Sequence, residues 1–213
     1  MARPSVCRSH SKECGPVPST TLRELTGMPA TAPSLAGSTL IMVDCQNTYT
    51  RGVMELEGVQ AALDEAEELL DRARSAGTPV IHIQHDAGEG SPYDVRAEIG
   101  AIVDRVAPRG DEPVVVKGAP NAFVGTDLQE RLAAAGAHDL VLAGFMTHMC
   151  INSTARGAFS LGFNPTVVGG ATATRSLPGP DGAVAASALQ AASLAAIADL
   201  FGVVVPDTKA IPD

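Results

Sequence analysis

The 213-residue chain has no tryptophan, two tyrosines and five phenylalanines. With aromatics at only 3%, Ala, Val, Leu and Ile must fill the core. Cysteine is also scarce. The four thiols, at positions 7, 14, 45 and 150, contain no Cys-x-x-Cys pair. That excludes the usual zinc-ribbon and dithiol-redox patterns. A basic excess is missing as well: 15 Lys and Arg face 24 Asp and Glu, a net charge of −9. Such a balance suits neither nucleic acid nor an anionic membrane surface. No apolar run approaches the ~20 residues of a membrane span. The N-terminal residues include basic side chains but lack the apolar stretch of a secretory signal. Free thiols in a reducing cytoplasm are therefore expected.

What is present is a hydrophobic share of 45%, enough for a globular core, and a length that fits one main domain. Residues 1–37 are rich in Pro, Ser, Thr and Gly and show no sustained periodicity. They read as an arm, flexible or docked on a neighbouring subunit, with a few apolar positions over 17–28 for contact. Residues 38–213 read as the main domain.

From residue 38 the pattern alternates. Apolar strands are predicted over 39–43, 79–83, 113–116, 139–143, 165–168 and 203–205. Between them, 59–76 is an amphipathic helix with Leu63, Ala66, Leu69, Leu70 and Ala73 on one face, stopped by Gly77. Shorter helices are predicted over 93–106, over 125–135 with Thr126 as N-cap, and over 150–161, closed by Gly162. A long Ala-rich helix is predicted over 181–200. Strands apolar on both faces, alternating with helices, demand a parallel sheet covered on both sides. The fold class is α/β: a three-layer α/β/α sandwich with a six-stranded, mostly parallel, Rossmann-like sheet.

In such sheets ligands bind beyond the carboxyl ends of the strands. Asp44 closes the first strand, Lys117 the third, and Cys150 follows the fourth through the turn that starts at Gly144. A thiol at a helix start meets unpartnered N–H groups and the positive end of the helix dipole, both of which favour thiolate. Each residue alone has an ordinary reading: a loop cap, a solvated strand end, a small buried hydrophobe. Together on one rim they are a base, a cation and a nucleophile. The sequence does not show that they meet.

Four segments carry a resemblance. They are Leu40-Ile41-Met42-Val43-Asp44-Cys45-Gln46-Asn47, Val116-Lys117 with Asn121-Ala122-Phe123-Val124-Gly125-Thr126-Asp127-Leu128, Gly144-Phe145-Met146-Thr147-His148-Met149-Cys150, and Ala171-Thr172-Ala173-Thr174-Arg175. In this order and spacing the chain resembles the isochorismatase-like cysteine hydrolases. That family includes nicotinamidases, N-carbamoylsarcosine and ureidoacrylate amidohydrolases, and streptothricin hydrolases. The resemblance covers much of residues 38–205 and leaves the arm out.

The resemblance implies a catalytic triad of Asp44, Lys117 and Cys150. It implies a non-proline cis peptide at Phe145–Met146 and an oxyanion hole from the backbone N–H groups of Met146 and Cys150. Gln46, Asn47, Phe123, Thr147 and His148 are candidate substrate-binding residues. Arg175 could cap the pocket or a subunit contact. Metal-dependent nicotinamidases carry an Asp-x-His…His cluster after the second strand. Here the segment is Gln84-His85-Asp86-Ala87-Gly88-Glu89-Gly90, so no metal and no cofactor are expected, and His82 and His85 read as packed or surface residues.

The implied activity is cleavage of a non-peptide C–N bond of a small amide, ureido compound or cyclic amide through a thioester. Two alternatives stand beside it: a vinyl-ether hydrolase, whose chemistry needs no cysteine nucleophile, and a catalytically silent binding module. The resemblance also implies a homodimer or higher homo-oligomer.

Overall fold

Residues 19–213 are described by a computed structural model of the chain. Cys7 and Cys14 lie outside the described residues. The elements in chain order are α1 (Leu22–Leu25), β1 (Thr39–Val43), α2 (Val59–Ala76), β2 (Val80–His85), β3 (Val114–Lys117), α3 (Leu128–Ala134), β4 (Asp139–Phe145), α4 (Asn152–Ser160), β5 (Asn164–Ala173), β6 (Leu177–Gly179), β7 (Gly182–Val184), α5 (Ala186–Ala198) and β8 (Val203–Val205).

All five residues of β1 are buried. Alternation divides them between the two faces of the sheet. Leu40 and Met42 join one apolar cluster with Leu63, Ala66, Leu69 and Leu70 of α2. Ile41 and Val43 join the other, with Leu128 and Leu132 of α3, Ala155 and Ala158 of α4, and Ile197 of α5. A fully buried Leu of this kind contributes about 1.5–3 kcal/mol over an exposed one. Six strands pair in the order β3-β2-β1-β4-β5-β8, and every pair is parallel. The result is the three-layer α/β/α sandwich. Strand order reverses between β1 and β4, which opens a crevice at their carboxyl ends.

Helix α2 has the predicted bounds and ends at Gly77, which takes the left-handed conformation at φ 71°. Four other helical readings differ from expectation, and β5 runs on to Ala173. Residues 93–106 form two 3-10 turns, Glu98–Gly100 and Asp104–Val106, instead of a helix. The chain folds so tightly there that a Cβ on Gly100 would stand 2.2 Å from the Asp94 carbonyl oxygen. Helix α3 starts at Leu128 with Asp127 as N-cap. The Thr126 hydroxyl donates to the Ala122 carbonyl at 2.6 Å and accepts from the Leu128 N–H at 3.4 Å. Helix α4 starts at Asn152, because Thr147–Ile151 winds as a wider π turn. The start of the Ala-rich helix moves to Ala186, because β6 and β7 pair as a small hairpin.

The described part of the arm packs on its own chain. Thr21 and Glu24 form a reciprocal capping box that opens α1. The buried Arg23 guanidinium donates to the carbonyls of Pro29 at 2.6 Å and Leu200 at 3.1 Å. The Leu35 N–H bonds to the Pro212 carbonyl at 2.7 Å.

Candidate active site

The site grows from the ends of four neighbouring strands, β3, β2, β1 and β4. Asp44 is the first residue past β1 and has φ 49°, the left-handed region that Asp tolerates better than most residues. Gly144 lies beside Val43 in the β1–β4 register. Its φ is +117°, and a Cβ there would stand 2.0 Å from the Val43 carbonyl oxygen. Only glycine lets β4 press this closely on β1. The Phe145–Met146 peptide that follows is cis, and the π turn then carries Cys150. Lys117 ends β3 next to His85 at the end of β2.

These side chains converge. Lys117 Nζ stands 2.7 Å from Asp44 Oδ2, with no solvent exposure on either side chain. Beyond this ion pair neither Asp44 oxygen has a hydrogen-bond partner among the described residues. Lys117 Nζ also donates to Cys150 Sγ at 3.4 Å and meets His85 Nδ1 at 3.2 Å. Cys150 is 4% exposed.

Burial sets the electrostatics. It pushes the Asp44 carboxyl up, and the Lys117 cation offsets part of that rise. It pushes the Cys150 thiol up to about 12, the Asp44 charge adding to the rise and Lys117 opposing it. Burial and the Asp44 charge thus oppose the thiolate that a helix start would favour. Cys150 lies inside the π turn, ahead of α4, and the buried carboxylate outweighs the nearby cation. A neutral thiol beside a carboxylate is set up to transfer its proton when it attacks.

The candidate substrate residues fall into different surroundings. Gln46 is fully buried. Its amide donates to the carbonyls of His85 at 2.9 Å and Gly100 at 2.8 Å and accepts from the His85 N–H at 2.9 Å. It brackets the His85 backbone, and both its N–H groups are taken. Asn47 is half-buried and donates to the Glu98 carbonyl at 2.9 Å. Phe123 stacks on Phe163 with centroids 5.8 Å apart. Thr147 is fully buried, and its hydroxyl has no partner among the described residues. His148 Nδ1 lies 2.5 Å from Thr174 Oγ1. Burial and the Arg175 cation lower the His148 pKa. Cys45 is buried, and its thiol points back at the Val43 carbonyl at 3.8 Å.

Two features went unread in the sequence. His85 touches Lys117, although only its place at a strand end on the same rim could have shown it. An edge-to-face aromatic chain also runs from His85 to Tyr93 at 5.0 Å, Tyr93 to Tyr49 at 5.8 Å, and Tyr49 to Phe145 at 5.7 Å. His82, by contrast, is a packed residue at the other end of β2, with Nε2 3.0 Å from Glu112 Oε2. Among the described residues no three His, Cys, Asp or Glu side chains group closely enough to hold a metal ion.

The isochorismatase domain family matches residues 38–207. The chain belongs to the isochorismatase family. A crystal structure of an isochorismatase from Pseudomonas putida is 36% identical, with TM-score 0.88, covering 92% of this chain and 100% of that one. A secreted isochorismatase effector of Verticillium dahliae is 33% identical over 86% of this chain and 95% of its own length. A maleamate amidohydrolase of Pseudomonas putida is 33% identical over 61% of this chain and 68% of its own. The protein is thus an isochorismatase-family hydrolase with an amidohydrolase among its relatives. No helix among its described residues is long and apolar enough to cross a membrane.

Proposed function

We propose that the protein hydrolyses a non-peptide C–N bond of a small amide through a thioester on Cys150. The observation that carries this reading is a single one: Lys117 Nζ lies 2.7 Å from the Asp44 carboxylate and 3.4 Å from the Cys150 sulfur, all three buried. Asp44 takes the thiol proton as Sγ attacks the amide carbonyl. Protonated Asp44 then gives that proton to the leaving amine or ammonia, and the acyl group remains on sulfur. Water attacks the thioester with Asp44 as base, releasing the carboxylic acid and restoring the thiol. Lys117 balances the charge as it passes between carboxylate and sulfur.

The backbone N–H groups of Met146 and Cys150 hold the oxyanion. In support, the Met146 N–H makes no hydrogen bond among the described residues. Losing one such donor raises a barrier by about 2.7–4 kcal/mol. Thr147, His148, Asn47 and Phe123 are the proposed substrate-binding residues, Thr147 with a hydroxyl unpartnered among the described residues. Buried free thiols at Cys45 and Cys150 suit a reducing cytoplasm. The three residues supply nucleophile, base and cation, so activity should survive exhaustive chelation.

The test is a screen for ammonia and amine release over a panel of small amides, ureido compounds and cyclic amides, with Cys150→Ala as control. Release that depends on Cys150 supports the reading. Turnover that persists in Cys150→Ala would point instead to vinyl-ether chemistry run by Asp44, and inertness across every panel to a binding module.

A further inference from the structure

An ammonium offers three N–H donors and no acceptor. Lys117 Nζ has three neighbours that can use them: Asp44 Oδ2 at 2.7 Å, Cys150 Sγ at 3.4 Å and His85 Nδ1 at 3.2 Å. The first two belong to the triad. We propose that His85 is a positioning residue, whose unprotonated Nδ1 accepts the third N–H of Lys117 and so aims that cation at Asp44 and Cys150. The inference rests on the triad reading and adds a fourth side chain to it.

The surroundings of His85 are built for this task. Gln46 holds the residue's own N–H and carbonyl on both sides, through hydrogen bonds of 2.9 Å each. Register pairs His85 directly with Lys117 across the β2–β3 ladder. Tyr93 meets the ring edge-on at 5.0 Å and fixes its plane. Because Lys117 can only donate, Nδ1 must accept, which places the single imidazole proton on Nε2. The ring would have to donate at both nitrogens once protonated, setting two cations 3.2 Å apart and turning the lysine away from the sulfur.

The charged and titratable groups that face this ring are few. Lys117 comes from β3, Asp86 is next in the chain, and Tyr93 comes from the loop that follows. Asp44 and Cys150 lie beyond Lys117. Burial and then Lys117 push the His85 pKa down, while Asp86 pushes it up. The net direction keeps Nδ1 free to accept at neutral pH.

The test uses the full-length protein. Imidazole nitrogen and carbon NMR, assigned by comparison with His85→Gln, reads the tautomer and titration of His85 without any substrate. The expected result is an Nε2–H tautomer titrating below the ordinary 6.5, with the titration moving up in Lys117→Met. An Nδ1–H tautomer, or a titration unmoved in Lys117→Met, would overturn the proposal even if the enzyme cleaves amides as described.

Kinetics form the second arm. His85→Phe keeps a flat ring but removes the acceptor. Its kcat should fall about 10- to 100-fold with KM little changed, the loss expected when a reacting group is misaimed. His85→Gln restores an acceptor that cannot titrate. It should recover part of kcat and lose the His85 inflection on the acid side of the pH profile. Wild-type kcat and pH profile in His85→Phe would sink the proposal.

Discussion

Asp44 and Lys117 form an ion pair at 2.7 Å with both side chains wholly out of water. Such a pair is costly to assemble and costlier to break, because the survivor is a buried charge without its partner. Lys117→Met should therefore destabilise the protein by about 3–5 kcal/mol at neutral pH. The loss should be smaller in acid. Burial already pushes the Asp44 carboxyl up, and without the cation it rises further. A carboxyl whose folded pKa is raised favours the fold below its unfolded pKa, and that contribution is lost as pH rises through the folded value. Adding Asp44→Asn to Lys117→Met should then restore stability at neutral pH. Urea midpoints of the four proteins between pH 4 and pH 8 would show it, and a double variant weaker than Lys117→Met would contradict it.

Gly144 ties fold and site together. An alanine there would need φ +117° and place its Cβ 2.0 Å from the Val43 carbonyl oxygen. Both strain and overlap push β4 away from β1, and Asp44 is the next residue after Val43. Gly144→Ala should cost at least about 3 kcal/mol. Any protein that folds should have lost most turnover. Thermal unfolding and turnover of the same preparation would test this, and a stable, active variant would show that the strand ends can separate without harm.

Most of the sheet was legible from composition and period. The apolar runs that became β1, β2, β4 and β5 are buried along most of their length, while the equally apolar β3 lies at the sheet edge with Val114 and Val116 exposed, and α2 carries a complete apolar stripe with a glycine stop. The rim rule placed Asp44, Lys117 and Cys150 at one end of the sheet. What stayed hidden depends on contacts between distant segments. The helix pattern over 93–106 lost to a tight Gly100–Asp94 approach. Gln46 reads as a pocket residue in the sequence because it lies just beyond Asp44, yet the carbonyls of His85 and Gly100 claim its amide N–H groups. His85 showed no signal of its own, since its partner lies 32 positions away.

Away from the site, Arg74, Glu112 and His82 lock the other end of β2 to α2. Arg74 donates to both Glu112 oxygens at 2.8 Å, and His82 lies 3.0 Å from one of them. The Arg74 guanidinium holds the Glu112 carboxyl down at about 2. A depressed carboxyl contributes stability above its unfolded pKa of ~4.5, and that stability is lost as pH falls through the folded value. Glu112→Gln should cost on the order of 2 kcal/mol at pH 7 and flatten the stability curve between pH 4.5 and 2. Turnover at neutral pH should change little, because the cluster lies at the amino end of the sheet. An unchanged curve would reduce the cluster to surface charge.

Helix α5 leaves Ala188, Ala191, Ala192 and Ala195 exposed, an apolar face that a solitary surface helix does not need. A homodimer or larger assembly is expected to cover it. Light scattering at micromolar concentration should give a mass above the 21.8 kDa of one chain. Ala192→Glu should shift the distribution toward that single-chain mass. A monomer in the unaltered protein would refute this expectation.

The thiol gives the sharpest separation of roles. Its pKa is pushed up to about 12, by burial and by the Asp44 charge, against the pull of Lys117. Alkylation of the free enzyme by iodoacetamide should thus be slow at neutral pH and climb steadily above it. Asp44→Asn removes the charge that opposes the thiolate and leaves the cation. Cys150 should then titrate lower and alkylate faster at neutral pH, while turnover collapses because nothing carries the proton. Lys117→Met should move the thiol the other way. Cys150→Ala should lose at least about 10⁴-fold in turnover. Combining it with Asp44→Asn should cost hardly more, since groups that act as one unit are strongly non-additive. Alkylation rates against pH, read by mass spectrometry at Cys150 and compared with buried Cys45, would follow the first two effects. If Asp44→Asn slowed alkylation along with turnover, the aspartate would be holding Cys150 as a resting thiolate, and the proton transfer assigned to the moment of attack would be wrong.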